Sequence, residues 1–358
     1  MDSSPRSRPT ATLASLAAEL GISRTTVSNA YNRPDQLSPQ LRTRVMEAAR
    51  RLGYPGPDPV ARSLRTRKAG AVGLLLTDQV SYAFRDPAAV AFLEGLTLEC
   101  DRARVGLLLV PARPDAEDVG AVSRAAVDGF VVYSMPDDDP HLEAALARPV
   151  PAVICDQPGL PGADLVGIDD AGAMRQIADH LIELGHRRIG VVCMRLGRAV
   201  MDGPVSPTRQ QAAHYHVQRN RLAGLAAAFT AAGVAWDRIP VVERFEHSVA
   251  AGASGTAEVL SIDPGVTAII ATSDVYALGA IEELTRRHQR VPEDVSVTGF
   301  DGVKAALDAR ITTVAQPVVD KGKHAGQLLL DPGRRAQGRK LVLPTTFVPG
   351  RTTAPPRI

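Results

Sequence analysis

TLASLAAELGISRTTVSNAYN, residues 12–32, carries the pattern on which the reading of the fold turns. Leu13, Leu16, Ala17 and Leu20 recur at i, i+3, i+4 and i+7, one face of a helix. Thr12 is a suitable N-cap, and Gly21 can take the left-handed conformation that ends a helix. Ser23 caps a second helix, with Val27, Ala30 and Tyr31 on one side and Arg24, Thr25, Ser28, Asn29 and Asn32 on the other. A third helix opens at Ser38-Pro39, an N-cap followed by proline at the first helical position, and aligns Leu41, Val45, Ala48, Ala49 and Leu52. Three short helices with a glycine turn between the first two form a helix-turn-helix arrangement.

The polar side of the second helix has the chemistry of a major-groove reader. Arg24 matches the acceptors of guanine and Asn29 the donor and acceptor of adenine, with Thr25 and Ser28 beside them. Thr12, Ser23, Asn32 and Arg42 suit phosphates, which position a protein on DNA without specifying sequence. Charge points the same way. The chain is only +2 overall, but residues 1–68 hold 12 Lys/Arg against 5 Asp/Glu, and the rest hold 29 against 34. A basic module on an acidic body implies a polyanion partner for the module. The next segment, PGPDPVARSLRTRKAG (55–70), can form a short helix capped by Asp58, with Ala61 and Leu64 on its apolar side. Leu64 there has the character of an apolar wedge for the minor groove. A solvated helical bundle and a charged linker are the plainer readings of the two segments.

Length and composition bound the rest. The 358 residues predict two or three domains, and 45% hydrophobic content with low net charge excludes disorder. Cys100, Cys155 and Cys193 are far apart and lie in or beside apolar runs, so buried thiols in a reducing cytoplasm are expected rather than disulfides. The longest apolar runs, 71–76 and 105–110, fall far short of the ~20 residues that span a bilayer. No secretion signal is read at the N-terminus, so a cytoplasmic protein with no membrane partner is expected.

From residue 71 short apolar runs alternate with helical stretches. AVGLLL (71–76), VGLLLV (105–110), GFVVY (129–133), PAVIC (151–155) and LVGI (165–168) read as buried parallel strands. Helices are expected at 87–103, 115–126 and 140–147. A second set follows, with strands at 188–193, near 239–242, at 267–271 and at 295–299. Helices at 171–185, 217–232, 249–261 and 274–289 separate them. Two such sets predict two doubly wound α/β halves, with a ligand cleft at the carboxyl ends of their strands. Asp156 follows PAVIC, Ser273 follows TAIIAT and Asp301 follows VTGF, while Arg221 opens a long helix. Tyr133 and Phe84 can supply stacking or apolar walls. Carboxylates with an arginine suit a polyhydroxylated ligand, although each residue singly also reads as a strand-end cap or turn. His214 and His216 are metal-ligand types, but spacing places no third ligand, so they read as solvated loop histidines. Neither a metal nor a cofactor is expected. The 195–216 insert is long enough to be a lid or a surface excursion. No nucleophile elbow, phosphate loop or GxGxxG occurs, which argues against an enzyme.

The run at 12–32, then LSPQLRTRVMEAARRLGYPG and PVARSLRTRKAGAVGLLL, closely resembles the lactose/galactose-repressor (LacI/GalR) family. The resemblance continues in family order to about residue 357 through GFVVYSMPDDD, VGIDDAGAMRQIADHLIELGHRRIGVV, RNRLAGLAAAF, TAIIATSDVYALGAIEELTRRHQRVPEDVSVTGFDGV, ITTVAQPV and LVLPTTFVPGRTTAPP. It implies an N-terminal all-α helix-turn-helix headpiece plus hinge helix, then a bilobed periplasmic-binding-protein-like α/β core of two doubly wound parallel sheets. Arg24, Thr25 and Asn29 match the family's base readers, Ala61 and Leu64 its hinge helix, and Asp156, Arg221, Ser273 and Asp301 its effector contacts. Two departures stand out: Asp58, where asparagine is frequent, and Ser273, where Asn or Asp is frequent, so effector identity does not carry over.

The expected domains are therefore a headpiece at 1–57, a hinge at 58–69 and a core at 70–358. Lobe 1 is expected at about 70–169 plus 301–330 and lobe 2 at 170–300 plus 331–358. The chain should cross between lobes three times, with the 316–330 helix returning to lobe 1 and a 340–347 strand to lobe 2. The expected function is a homodimeric transcriptional repressor that reads a pseudo-palindromic double-stranded operator. A sugar-like or nucleoside-like molecule in the cleft would control it. The alternatives are a cytoplasmic small-molecule-binding protein whose helical module contacts protein, and an α/β enzyme fused to a DNA-binding domain.

Overall fold

Three helices build the N-terminal unit: α1 (Leu13–Leu20), α2 (Arg24–Asn32) and α3 (Pro39–Leu52). Thr12 and Ser15 cap α1 reciprocally, each side chain accepting from the other's backbone N–H. Ser23 and Ser38 cap α2 and α3 by accepting from Thr26 N and Leu41 N. Each such cap contributes about 1 kcal/mol. Gly21 and Gly53 take the left-handed conformation at the helix ends. Leu16, Val27 and Val45 are fully buried among Ala17, Ala30, Ala48 and Ala49, and these small side chains let short helices approach closely.

The computed structural model describes residues 11–58, 63, 66–77, 80–112, 118–331, 333 and 338–357, and the chain divides into two units after Ala69. Ala61 and Leu64 of the expected hinge helix lie outside the described residues.

In the second unit, lobe 1 begins with β1 (Ala71–Leu76), α4 (Pro87–Ala103), β2 (Gly106–Pro111), α5 (Gly120–Arg124), β3 (Gly129–Tyr133), α6 (Pro140–Leu146), β4 (Ala152–Cys155) and β5 (Asp164–Ile168). The chain then enters lobe 2. There α7 (Asp170–Glu183), β6 (Ile189–Met194), β7 (Gly203–Pro204), α8 (Pro207–Gln211) and α9 (His216–Ala231) precede β8 (Val241–Arg244), α10 (Val249–Ile262) and β9 (Ala268–Ala271). Lobe 2 continues with α11 (Asp274–Arg286), β10 (Ser296–Thr298), α12 (Lys304–Asp308) and β11 (Thr313–Ala315). Last come α13 (Val318–Leu330), β12 (Lys340–Leu343) and β13 (Thr346–Val348).

The first sheet, in order β12-β5-β4-β3-β1-β2, is wholly parallel. The second, β10-β9-β6-β8-β7, is parallel except at its β7 edge. Alternate residues serve opposite faces. Val72, Leu74 and Leu76 of β1 join one apolar cluster while Leu75 joins another, and Val191 and Val192 of β6 divide likewise. All three cysteines are buried. Among the described residues no helix is long and apolar enough to cross a membrane.

The lobe boundaries differ from the expectation at two places. Residues 301–315, expected in lobe 1, pack in lobe 2: Val303, Ala306 and Ile311 join its core, and β11 lies beside β10 through the Thr298–Thr312 bridge. The expected 340–347 strand splits. β12 extends the lobe 1 sheet beside β5, and only β13 belongs to lobe 2, paired antiparallel with β11. Apolar periodicity identifies a strand but does not say which sheet edge it will join.

Two glycines fix helices that matter below. A Cβ on Gly322 of α13 would collide with the carbonyl oxygen of Phe92 in α4, and one on Gly224 of α9 with that of Ala171 in α7. Backbone therefore packs directly on backbone at both crossings. The α13 contact brings Lys321 to the end of β4, and the α9 contact brings Arg221 to the start of α7.

Candidate functional site

The carboxyl ends of the strands in both lobes open on one cavity of about 690 Å³, including its mouth. Lobe 1 contributes Thr77, Tyr82, Asp86, Tyr133, Asp156 and Gln157; Arg195, Tyr215, Gln218, Arg221, His247 and Asp301 come from lobe 2, with Gln316 at the crossover. Asp156 (φ 66°) and Asp301 (φ 117°) occupy the left-handed region, which costs of order 1–3 kcal/mol and persists only where surrounding structure imposes it. For Asp301 the constraint is visible. Its N–H donates to Val314 O, and its carbonyl accepts from Gln316 N.

Two buried cations organise the carboxylates. Arg221 donates from Nε to Asp170 Oδ1 at 2.8 Å and from Nη1 to the Thr272 carbonyl at 2.7 Å. Its guanidinium also lies 3.6 Å from Asp301 Oδ1 and stacks 3.8 Å over the Phe300 ring. Lys321, 1% exposed, donates to Asp156 Oδ1 and Gln316 Oε1, both at 2.6 Å. Gln316 in turn donates to Asp301 Oδ1 at 2.6 Å, so one hydrogen-bonded chain joins Asp156 of lobe 1 to Asp301 of lobe 2. Burial pushes the Asp301 carboxyl up to about 8; Arg221 opposes this, and the nearby Asp274 charge adds to it. Burial likewise raises Asp170 despite Arg221, and it raises the Tyr133 hydroxyl with help from the Asp156 and Asp86 charges.

His247 bridges the lobes. Its Nδ1 is 2.8 Å from Tyr82 Oη in lobe 1, and its Nε2 is 2.9 Å from Ser273 Oγ in lobe 2. Burial lowers its pKa although Asp86 lies 3.9 Å away, so the ring is neutral near pH 7. Ser273, His247 and Asp86 are the residue types of a hydrolytic triad. Ser273, however, is fully buried and caps α11 by accepting from Tyr276 N, which leaves its hydroxyl no path to a substrate.

Of the expected effector residues, Tyr133, Asp156, Arg221 and Asp301 line the cavity. Ser273 does not, because its cap role holds it behind the wall. Phe84 is 63% exposed and outside the lining. It sits on a 3₁₀ turn, Tyr82–Phe84, in which residues two apart point to different sides, and Tyr82 lines the cavity instead. Asp86, Asp170, His247, Gln316 and Lys321 were not anticipated. Lys321 had a signal: Val318, Gly322, Ala325 and Leu329 make an apolar helix face, and a lysine on it must find an anion. His214 and His216 are not simply solvated. Both bond Asp137 of lobe 1, at 2.8 and 2.7 Å.

In the headpiece, Arg24 and Thr25 are exposed at the start of α2, with Ser28 and Asn29 half-buried one turn on. Asn29 donates to Gln36 Oε1 (3.2 Å), and Asn32 to the Ser28 carbonyl and hydroxyl (3.0 and 3.1 Å), so these amides are held in place. Thr12 and Ser23 are helix caps, and Arg42 is exposed on α3.

A capped helix-turn-helix unit and a two-lobed core with a polar cleft together define the class of ligand-responsive transcriptional regulators. Residues 178–353 match the family model described as a periplasmic binding protein-like domain. An HTH-type transcriptional regulator of Mycolicibacterium smegmatis is 50% identical, over 99% of this chain and 100% of its own. A LacI-family regulator from Corynebacterium glutamicum superposes with a TM-score of 0.73 at 39% identity, covering 97% of this chain and 100% of that one. The transcriptional regulator CelR in complex with cellobiose does so at 0.69 and 29% identity, over 96% and 100%. The chain belongs to the LacI family of HTH-type transcriptional regulators.

Proposed function

We propose that this chain is a homodimeric, sequence-specific repressor whose operator affinity is set by a small neutral polyol, sugar-like in its hydroxyl pattern, bound between the lobes. The observation that carries the ligand class is the pairing of both buried cations. Arg221 already faces Asp170 and Lys321 already faces Asp156, so an anionic ligand would gain no uncompensated positive charge and would meet Asp86 as well. Hydroxyls, which donate and accept, fit this mixed lining, and Tyr82, Tyr133 and Tyr215 add walls. The cellobiose complex of CelR supports a carbohydrate-like ligand. A ligand touching both lobes favours the closed arrangement by its difference in affinity, and that difference is what reaches the DNA-binding unit.

Arg24, Thr25, Ser28 and Asn29 read bases in this proposal, and Thr12, Ser23, Asn32 and Arg42 hold phosphates. Leu64 and Ala61 serve the hinge. No catalytic residue is assigned. The test has two arms. A thermal-shift screen of neutral sugars, polyols, sugar phosphates and nucleosides should stabilise the protein with a neutral polyol; stabilisation by phosphates alone would overturn the ligand class. Binding-site selection with Arg24→Ala and Asn29→Ala should relax one base position each, at about 1–3 kcal/mol per lost bidentate contact. An unchanged preferred sequence removes both as readers.

A further inference from the structure

Beside Tyr215, which lines the cleft, the 195–216 insert of lobe 2 meets the loop that follows β3 of lobe 1. His214 Nδ1 lies 2.8 Å from Asp137 Oδ1 and 3.7 Å from Asp138 Oδ2. One ligand atom each from Asp137, Asp138 and His214 falls within 4.8 Å of the others. His216 Nε2 is 2.7 Å from the second oxygen of Asp137. Backbone ties the two loops at the same place: Asp137 N donates to the His214 carbonyl at 3.3 Å, and Arg198 Nη1 to the Asp138 carbonyl at 3.4 Å.

We propose that Asp137, Asp138 and His214 form a binding site for a borderline divalent cation of the Zn²⁺ type, which joins the two lobes at the mouth of the cleft. Sequence spacing supplies the two histidines alone; the fold brings the carboxylates to them from the other lobe. Imidazole nitrogen and carboxylate oxygen are both donor types that zinc takes, and three of them leave a fourth tetrahedral position for water. Bonds of about 2.0–2.2 Å in tetrahedral array put ligand atoms about 3.3–3.6 Å apart, so the 2.8 and 3.7 Å separations from His214 lie near that spacing, and the two carboxylate oxygens, within 4.8 Å of each other, reach it by side-chain rotation. An imidazole ligand favours Zn²⁺ over Ca²⁺ or Mg²⁺, which prefer all-oxygen cages. His216 acts as a positioning residue. By holding the far oxygen of Asp137, it aims Oδ1 at the ion, as outer-shell partners do in metal sites. All three ligand residues are exposed, so an ion has a path from solvent. Because its ligands come from both lobes, the ion binds only where they are closed, and it strengthens whatever else favours closure.

The test uses the full-length protein, purified without a histidine tag and stripped with chelator. Calorimetric titration with ZnCl₂ should show one site per chain, and CoCl₂ should give visible absorption bands of a low-coordinate site. His214→Gln and Asp137→Asn should each weaken binding by ~10-fold or more, and His216→Gln by a similar factor through misorientation of Asp137. His288→Asn, at an exposed histidine elsewhere in lobe 2, should change nothing. Absence of saturable binding at micromolar Zn²⁺, Ca²⁺ binding as tight as Zn²⁺, or an undiminished affinity in His214→Gln overturns the site. These readouts need neither operator nor effector, so they stand or fall independently of the proposed function.

Discussion

Replacing Lys321 with methionine probes the reasoning about the cleft most directly. The lysine is 1% exposed on α13, and its ammonium makes two 2.6 Å hydrogen bonds, to Asp156 and Gln316. Burial alone would lower its pKa, but Asp156, with Cys155 and Asp170 adding, holds it above the ordinary lysine value, so the lysine is charged. Methionine keeps the unbranched stem and removes the charge. Asp156 is then left buried with no cation, and breaking a buried pair in this way costs about 3–5 kcal/mol. At about 2–4 °C per kcal/mol for a unit of this size, calorimetry should show Tm falling by roughly 10 °C. Asp156→Asn, which keeps a side chain tolerant of φ 66°, provides the second corner of a double-mutant cycle. The double variant should be less destabilised than the sum of the singles by about 1–3 kcal/mol. A loss below about 1 kcal/mol for Lys321→Met, or strict additivity, would refute the claim that this pair organises the cleft.

Other consequences concern Asp301 and the helix crossings. With Asp301 near 8 in the folded chain and about 3.9 unfolded, the folded state holds an extra proton between those values, so stability falls as pH rises through that window. Asp301→Asn, scanned calorimetrically from pH 5 to 8.5, should flatten the decline; an unchanged slope assigns it to another group. Gly322→Ala forces a methyl against the Phe92 carbonyl and should cost at least about 1–3 kcal/mol in urea denaturation, whereas a neutral result would show that α13 can slide away from α4.

The headpiece was legible because its signals are local. Caps at Thr12, Ser23 and Ser38, a left-handed Gly21 and one apolar face per helix depend on neighbours within four residues. Strand positions and three cleft residues, Asp156, Arg221 and Asp301, were legible for a related reason. An open parallel α/β sheet presents its strand ends to the ligand wherever the chain runs. Phe84, expected as a wall, and Ser273, expected as an effector contact, do not line the cavity, because a 3₁₀ turn and a helix cap set where their side chains point.

By itself the sequence determined the two-part charge division and the order of the main strands and helices, which follow from composition and periodicity, while the class of regulator came from the family resemblance of its motifs. Only tertiary structure decided which carboxylate each buried cation answers. Lys321 and Asp156 are 165 residues apart, Arg221 and Asp170 51 apart, and no spacing rule relates either pair. Tertiary structure likewise decided that β12 belongs to lobe 1, and that Asp137 and Asp138 complete the histidines of the insert. The physical reason is common to all of these. Coulomb and hydrogen-bond partners are selected by distance in space, and in a chain that crosses between lobes three times, that distance is set by packing.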